Sequence, residues 1–156
     1  MAERDSPGVR VPPPLIFVAT LGIGAALDYV VFKDMTVAAA PARHVLGALW
    51  AACGMLAISL ALNLFRRAGT RPEPWQPSSA IVATGVYRYT RNPMYLGMAL
   101  LYMGLALILD SVSSLMLLVP LLIVIRYGVI GREEAYLERK FGEPYRQYRS
   151  RVRRWL

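Results

Sequence analysis

Residues 93–130 read PMYLGMALLYMGLALI, then LDSVSS, then LMLLVPLLIVIRYGVI. Two apolar runs flank a short polar turn, Asp110-Ser111-Val112-Ser113-Ser114. A membrane span needs about 20 residues at about 1.5 Å rise each. Each run is slightly short of that, but a turn in the headgroup region closes them as a helical hairpin, Pro93 to Ile108 and Ser114 to Ile130. Two longer apolar runs precede them, Pro14 to Phe32 and His44 to Phe65. A chain of 156 residues has no interior large enough to bury four such runs. The expected fold is therefore all-α, a polytopic membrane protein with about four transmembrane helices and a cytoplasmic C-terminal amphipathic helix.

Composition agrees. Charged residues make up 18% and hydrophobic residues 56% of the chain, against about 25% charged in soluble domains. Mean hydropathy is +0.39. Disorder is excluded by this hydrophobicity. Cys53 has no partner for a disulfide, and His44 is alone, so no multi-histidine metal site is expected.

The charges are unevenly placed. With a cytoplasmic N-terminus, fifteen of the 18 basic residues fall on the inner side, Lys33 and Arg43 fall in outer loops, and Arg126 lies in the fourth span. This is a positive-inside pattern. It puts both termini and the 66–92 loop in the cytoplasm. Ala38-Ala39-Ala40 resembles a signal-peptide cleavage site, but Asp28, Lys33 and Asp34 interrupt the approach to it. We read residues 1–156 as one membrane domain, with two N-terminal spans (1–65), a cytoplasmic loop (66–92), the hairpin (93–130) and tail helices (131–156).

The loop holds three prolines in six residues, Pro72, Pro74 and Pro77, which exclude a helix there. It runs into Gly85-Val86-Tyr87-Arg88-Tyr89-Thr90-Arg91-Asn92-Pro93-Met94-Tyr95-Leu96-Gly97. Asn suits an N-cap and Pro the first helical position, so the third span should start at Asn92-Pro93. A helix start beside Arg91 suits a carboxylate or phosphate. Arg91, Asn92 and Tyr95 share one side of its first turn, and Tyr87 and Tyr89 add aromatic surface. An interfacial belt of Tyr and Arg would account for the composition, though not for the order of these residues.

Beyond the fourth span, Gly131 to Phe141 reads as a helix ended by Gly142. Glu134, Leu137 and Phe141 share a face, and Glu133 stands one turn before Leu137. At least one carboxylate is thus drawn against apolar surface and must find a partner or a ligand. Arg91, Arg88 and Arg126 are the candidate partners, and an ion pair pinning the tail to the loop is the structural alternative to ligand binding. Arg126 follows Pro120 by six residues and either snorkels to the interface or makes a polar contact in the bundle. The segment Tyr145 to Leu156 reads as a helix with the stripe Tyr145, Tyr148, Val152 and Trp155, its arginines suited to anionic headgroups. Nucleic-acid binding is the weaker reading of that tail, because topology already accounts for the net charge of +8.

The Gly85–Gly97 stretch resembles the block G-x-Y-x-x-x-R-(H/N)-P-x-Y-x-G of the integral-membrane methyltransferases. Glu133-Glu134, with Phe141-Gly142-Glu143 and Tyr145, resembles their second block, E-E-x-x-L-x-x-x-F-G-x-x-Y. That family includes isoprenylcysteine carboxyl methyltransferases and phospholipid N-methyltransferases. The resemblance implies an S-adenosylmethionine pocket at the cytoplasmic side. Ile81 and Val82 would line it, Tyr87 would contact the cofactor, Arg91, Asn92, Pro93, Met94 and Tyr95 would cradle it, and Glu133 or Glu134 would bind it. Glu133, Glu134 and Arg126 are the expected catalytic residues, and a lipophilic acceptor and a bilayer with anionic headgroups the expected partners. The Arg that holds a substrate carboxylate in the prenylcysteine enzymes would fall at Val129 or Ile130, leaving Arg126 one turn earlier as its nearest equivalent. The implied reaction is closest to carboxyl O-methylation, with phospholipid N-methylation or small-thiol S-methylation as alternatives. A nicotinamide-dependent reductase and a non-enzymatic membrane scaffold are the rivals from other classes.

Overall fold

The computed structural model describes residues 6–32 and 35–156. Arg4, Lys33 and Asp34, used in the sequence argument, lie outside them. Helix α1 spans Pro13–Val30 and α2 Ala40–Arg67. A 3-10 turn, Gly85–Arg88, precedes α3, Pro93–Ile108. Helix α4, Val112–Val124, passes through a π-helical segment, Ile125–Ile130, into α5, Gly131–Phe141. Helix α6, Glu143–Arg151, follows. No strand occurs among the described residues. Three helices are long and apolar enough to cross a membrane, Pro13–Val30, Ala40–Arg67 and Val112–Phe141, and α3 is a shorter apolar helix. The four expected apolar helices are therefore present. The fourth differs from expectation in running without a break into α5.

Local chemistry explains the ends. Pro13 opens α1 and Pro93 opens α3 at positions where a missing N–H costs nothing. Ser111 caps α4, its Oγ accepting from Ser114 N at 3.1 Å. Gly142, at φ +60°, ends α5 in a conformation that glycine tolerates best.

Small residues set the packing. Gly47, Gly54 and Ala61 recur every seven residues on α2, and Gly97 and Gly104 do so on α3. A Cβ on Gly54 would sit 2.5 Å from Leu101 N and 2.6 Å from Gly97 O. A Cβ on Gly104 would sit 2.5 Å from both Ala51 N and Gly47 O. The two backbones are thus in van der Waals contact, which is how helices associate where lipid offers no hydrophobic drive. Gly24 of α1 packs in the same way against Ser114 of α4. Phe17, Tyr102, Leu121 and Ile125 fill the core between α1, α3 and α4. Leu15, Val18, Val45, Leu56, Met116 and Val119 face outward, where a bilayer would cover them.

The end opposite α5 is closed by polar contacts. Asp28 accepts from Ser113 N at 2.9 Å and from the Ser111 hydroxyl. Asp110, at φ 55°, accepts from Val37 N at 2.8 Å and pairs with Arg43 at 3.0 Å. Both aspartates act as capping and packing residues.

Candidate active site

The other end of the bundle holds a cleft enclosing about 810 Å³ of atom-free space, its open mouth included. Three parts of the chain build it. The 66–92 loop contributes Ile81, Val82 and Tyr87, the start of α3 contributes Asn92, Met94 and Tyr95 with Arg91 just before it, and α5 contributes Glu133 and Glu134. Of the expected site residues, only Pro93 and Arg126 are not in the lining. Pro93 is buried at the helix start. Arg126 is exposed, with its guanidinium 5.3 Å from the Tyr127 ring centroid.

Each wall is held in place locally. Gly85 has φ +57°, a conformation that favours glycine, and a Cβ there would press on the Leu64 side chain at 2.8 Å, so glycine suits the 3-10 turn lying on α2. Tyr87 then packs edge-on against Phe65, ring centroids 5.6 Å apart. The π segment carries one extra residue per turn, which rotates the helix downstream by about 100°. Helix α5 enters the site in that phase, with Glu134 buried and Glu133 half-buried.

The two carboxylates have different surroundings. Tyr95 Oη donates to Glu133 Oε1 at 2.7 Å. Glu133 lies beyond the apolar run, in a segment with Arg132, Glu134 and Glu138, and is half-buried at the cleft. Burial pushes its carboxyl up to about 7, against the lowering effect of the Tyr95 hydroxyl and with help from the neighbouring Glu134 charge. Glu134 instead accepts from Arg91 Nη2 at 2.9 Å and from Arg154 Nε and Nη2 at 3.0 and 2.5 Å. Its charge is therefore committed to two arginines.

Arg154 escapes sequence reasoning. It is one of five arginines in the tail, and nothing in the pattern singles it out. The expected tail helix to Leu156 is also corrected, since α6 stops at Arg151 and Val152 is extended at φ −119°, ψ 132°. The last residues fold back on the α3 entrance. Arg91 N donates to Arg153 O at 2.9 Å, and Thr90 Oγ1 and Asn92 Nδ2 donate to Arg154 O at 3.1 and 3.0 Å. Asn92 does stand at the N-cap, but its side chain makes no capping bond, because it is drawn to the tail. Tyr148 Oη donates to Tyr87 O at 2.8 Å and ties α6 to the 3-10 turn.

Among the described residues, two polar atoms of the lining are buried without a partner, Arg91 Nε and Glu73 Oε2. A donor on one wall and an acceptor on another, between aromatic and aliphatic surfaces, suit a zwitterionic ligand with a nucleoside part.

The phospholipid methyltransferase family profile matches residues 42–144. The chain belongs to the phospholipid methyltransferase family. Methyltransferases of this family use S-adenosylmethionine, so this is a membrane methyltransferase with that cofactor. The match covers the first block, the hairpin and the second block as far as Pro144. The chain is 36% identical over 72 residues to the protein-S-isoprenylcysteine O-methyltransferase of Schizosaccharomyces pombe, covering 46% of this chain but 30% of that enzyme. It is 41% identical over 63 residues to an uncharacterized protein of Haemophilus influenzae, covering 40% of this chain and 100% of that protein. No solved structure matches it. The methyl donor fits the lining, since Arg91 offers a donor for a carboxylate, Glu133 an acceptor for an ammonium, and the tyrosines surface for an adenine.

Proposed function

We propose that the chain transfers a methyl group from S-adenosylmethionine to a lipophilic acceptor entering from the bilayer, at the cytoplasmic face. The observation that carries this reading is the Tyr95–Glu133 pair at 2.7 Å. It joins the first turn of α3 to the first turn of α5, just beyond the fourth apolar run, so the polar lining begins where the apolar run stops. The cofactor supplies a sulfonium methyl that is already electrophilic. The protein's work is to align, to exclude water and to handle a proton where the acceptor has one to lose.

In this reading Arg91 holds the carboxylate of the methionine moiety and Glu133 its ammonium. Tyr95 orients Glu133, and Glu134 keeps Arg91 and the tail in place. Ile81, Val82, Tyr87 and Met94 supply apolar surface. Asn92 positions the tail, Pro93 starts the helix, and Arg126 anchors the fourth span at the interface. The charge asymmetry supports a cytoplasmic site.

A prenylated cysteine carboxylate is the first acceptor to assay, because the S. pombe relative is named for that substrate. It needs alignment and no base. A phospholipid amine such as phosphatidylethanolamine, a substrate class that the family's description names only as phospholipid, would have to shed a proton, and Glu133 is the group beside the site that could take it. The test is titration of detergent-solubilised protein with S-adenosylhomocysteine, with NADPH as control, followed by labelled-methyl transfer to each acceptor. Saturable binding of S-adenosylhomocysteine alone is expected. A folded protein that binds neither compound would overturn the enzymatic reading and favour a membrane scaffold.

A further inference from the structure

Glu73 has no role in either sequence block, yet it lines the cleft, and its Oε2 is buried with no hydrogen-bond partner among the described residues. It sits between Pro72 and Pro74, whose rings fix the backbone on both sides. The loop is pinned further by Ser79 N donating to Thr70 Oγ1 at 2.9 Å and Gln76 N donating to Glu73 O at 3.0 Å. The nearest cation in sequence, Arg71, directs its guanidinium to Gln76 Oε1 at 3.1 Å. A carboxylate oxygen enclosed in this way lacks the donor that its burial calls for.

We propose that Glu73 accepts hydrogen bonds from the ribose hydroxyls of the methyl donor. The inference rests on the proposed function and extends it to the nucleoside half of the ligand. Charge complementarity separates the two halves. Arg91 and Glu133, on the α3–α5 wall, form a donor and acceptor pair matched to an amino-acid group. Glu73 comes from the loop that also carries Ile81 and Val82 into the lining. A vicinal diol next to a flat base fits a lone acceptor beside aliphatic surface. Two hydroxyl donors would satisfy the buried oxygen without demanding a second charge in the ligand.

The test measures binding of S-adenosylhomocysteine, its 2′,3′-dideoxyribose analogue and 5′-methylthioadenosine to wild-type, Glu73→Ala and Glu73→Gln protein in detergent. Circular dichroism and thermal unfolding serve as folding controls. Glu73→Ala should weaken S-adenosylhomocysteine and methylthioadenosine by the same factor, about ten- to hundredfold for bonds to a charged group. Glu73→Gln should fall between wild type and Glu73→Ala. Wild type should lose a similar factor on the dideoxy analogue, and Glu73→Ala should then add nothing. Unchanged affinity in folded variants overturns the ribose assignment and leaves the proposed function standing. So does a loss on S-adenosylhomocysteine without one on methylthioadenosine, which would place the ammonium at Glu73. Wild type that fails to bind S-adenosylhomocysteine overturns both.

Discussion

Replacing Glu134 with glutamine tests whether the C-terminal tail is part of the site. The Glu134 side chain is 8% exposed and that of Arg91 9%, whereas that of Arg154 is 29% exposed. Glutamine keeps the shape but removes the charge and turns one acceptor into a donor facing guanidinium N–H groups. Arg91 would keep its bond to Arg149 O at 2.9 Å and lose its counter-ion. Breaking a buried pair from one side costs about 3–5 kcal/mol. Here the lower end applies, because Arg154 can turn to water. For a chain of this size, about 3 kcal/mol is a fall of about 6–12 °C in Tm. Arg154→Ala leaves the Arg91–Glu134 pair intact and removes the more exposed partner, so it should cost about 1–2 kcal/mol. Thermal unfolding in detergent gives the ranking. Amide exchange at Arg91 gives the mechanism, since that N–H bonds Arg153 O at 2.9 Å and should exchange faster in both variants. Unchanged exchange at Arg91, or a larger loss in Arg154→Ala than in Glu134→Gln, would refute the reasoning.

Tyr95→Phe removes the 2.7 Å bond to Glu133 and should weaken S-adenosylhomocysteine about tenfold; calorimetry showing wild-type affinity would remove Tyr95 from the site. If ionised Glu133 receives the ligand's ammonium, affinity should rise as pH passes through about 7 and level off above it, a profile absent in Glu133→Gln. The stability effect has the opposite sign. A carboxyl raised from 4.5 to about 7 supports the folded apo protein fully below 4.5, and that support is lost as pH rises to about 7, so the same variant should flatten this part of the stability curve. Gly54→Val should separate α2 from α3, because its Cβ meets backbone at 2.5 Å, whereas Gly22→Ala meets nothing within 4 Å and should leave Tm equal or higher. Similar Tm values for the two would mean that the glycine stripe does not set the packing.

Apolar run length and terminal chemistry make the helices legible in the sequence. Pro93 starts α3 and Phe141 ends α5 at the expected residues, because Pro and Gly act within one turn. The α2–α3 seam is not legible there, although Gly47, Gly54, Gly97 and Gly104 stand seven apart within their helices, because spacing within each helix does not say which helix it meets. The π segment is hidden for a similar reason. Ile125–Ile130 reads as ordinary apolar helix, and its widened turn follows from how α4 and α5 must both pack. At the site, residue types point to the lining but not to partners. That Glu134 takes the ion pairs while Glu133 faces the cleft depends on helix phase after the π turn, which the three- and four-residue spacings cannot supply.

The tail explains why two blocks separated by a hairpin belong to one site. Each block alone leaves something unsatisfied. The first leaves the Arg91 N–H and the Thr90 and Asn92 side chains without acceptors, and the second leaves Glu134 as a buried charge. Residues 152–156 meet both needs, with carbonyls for the first block and the Arg154 guanidinium for the second. Without them, both blocks would have to be solvated. A chain truncated after Arg151 should therefore retain its spans, whose packing involves α1 to α4, but lose S-adenosylhomocysteine binding and gain exchange at Arg91. Retained affinity in that truncation would show that the blocks close on each other unaided, and the tail would then be a brace outside the site.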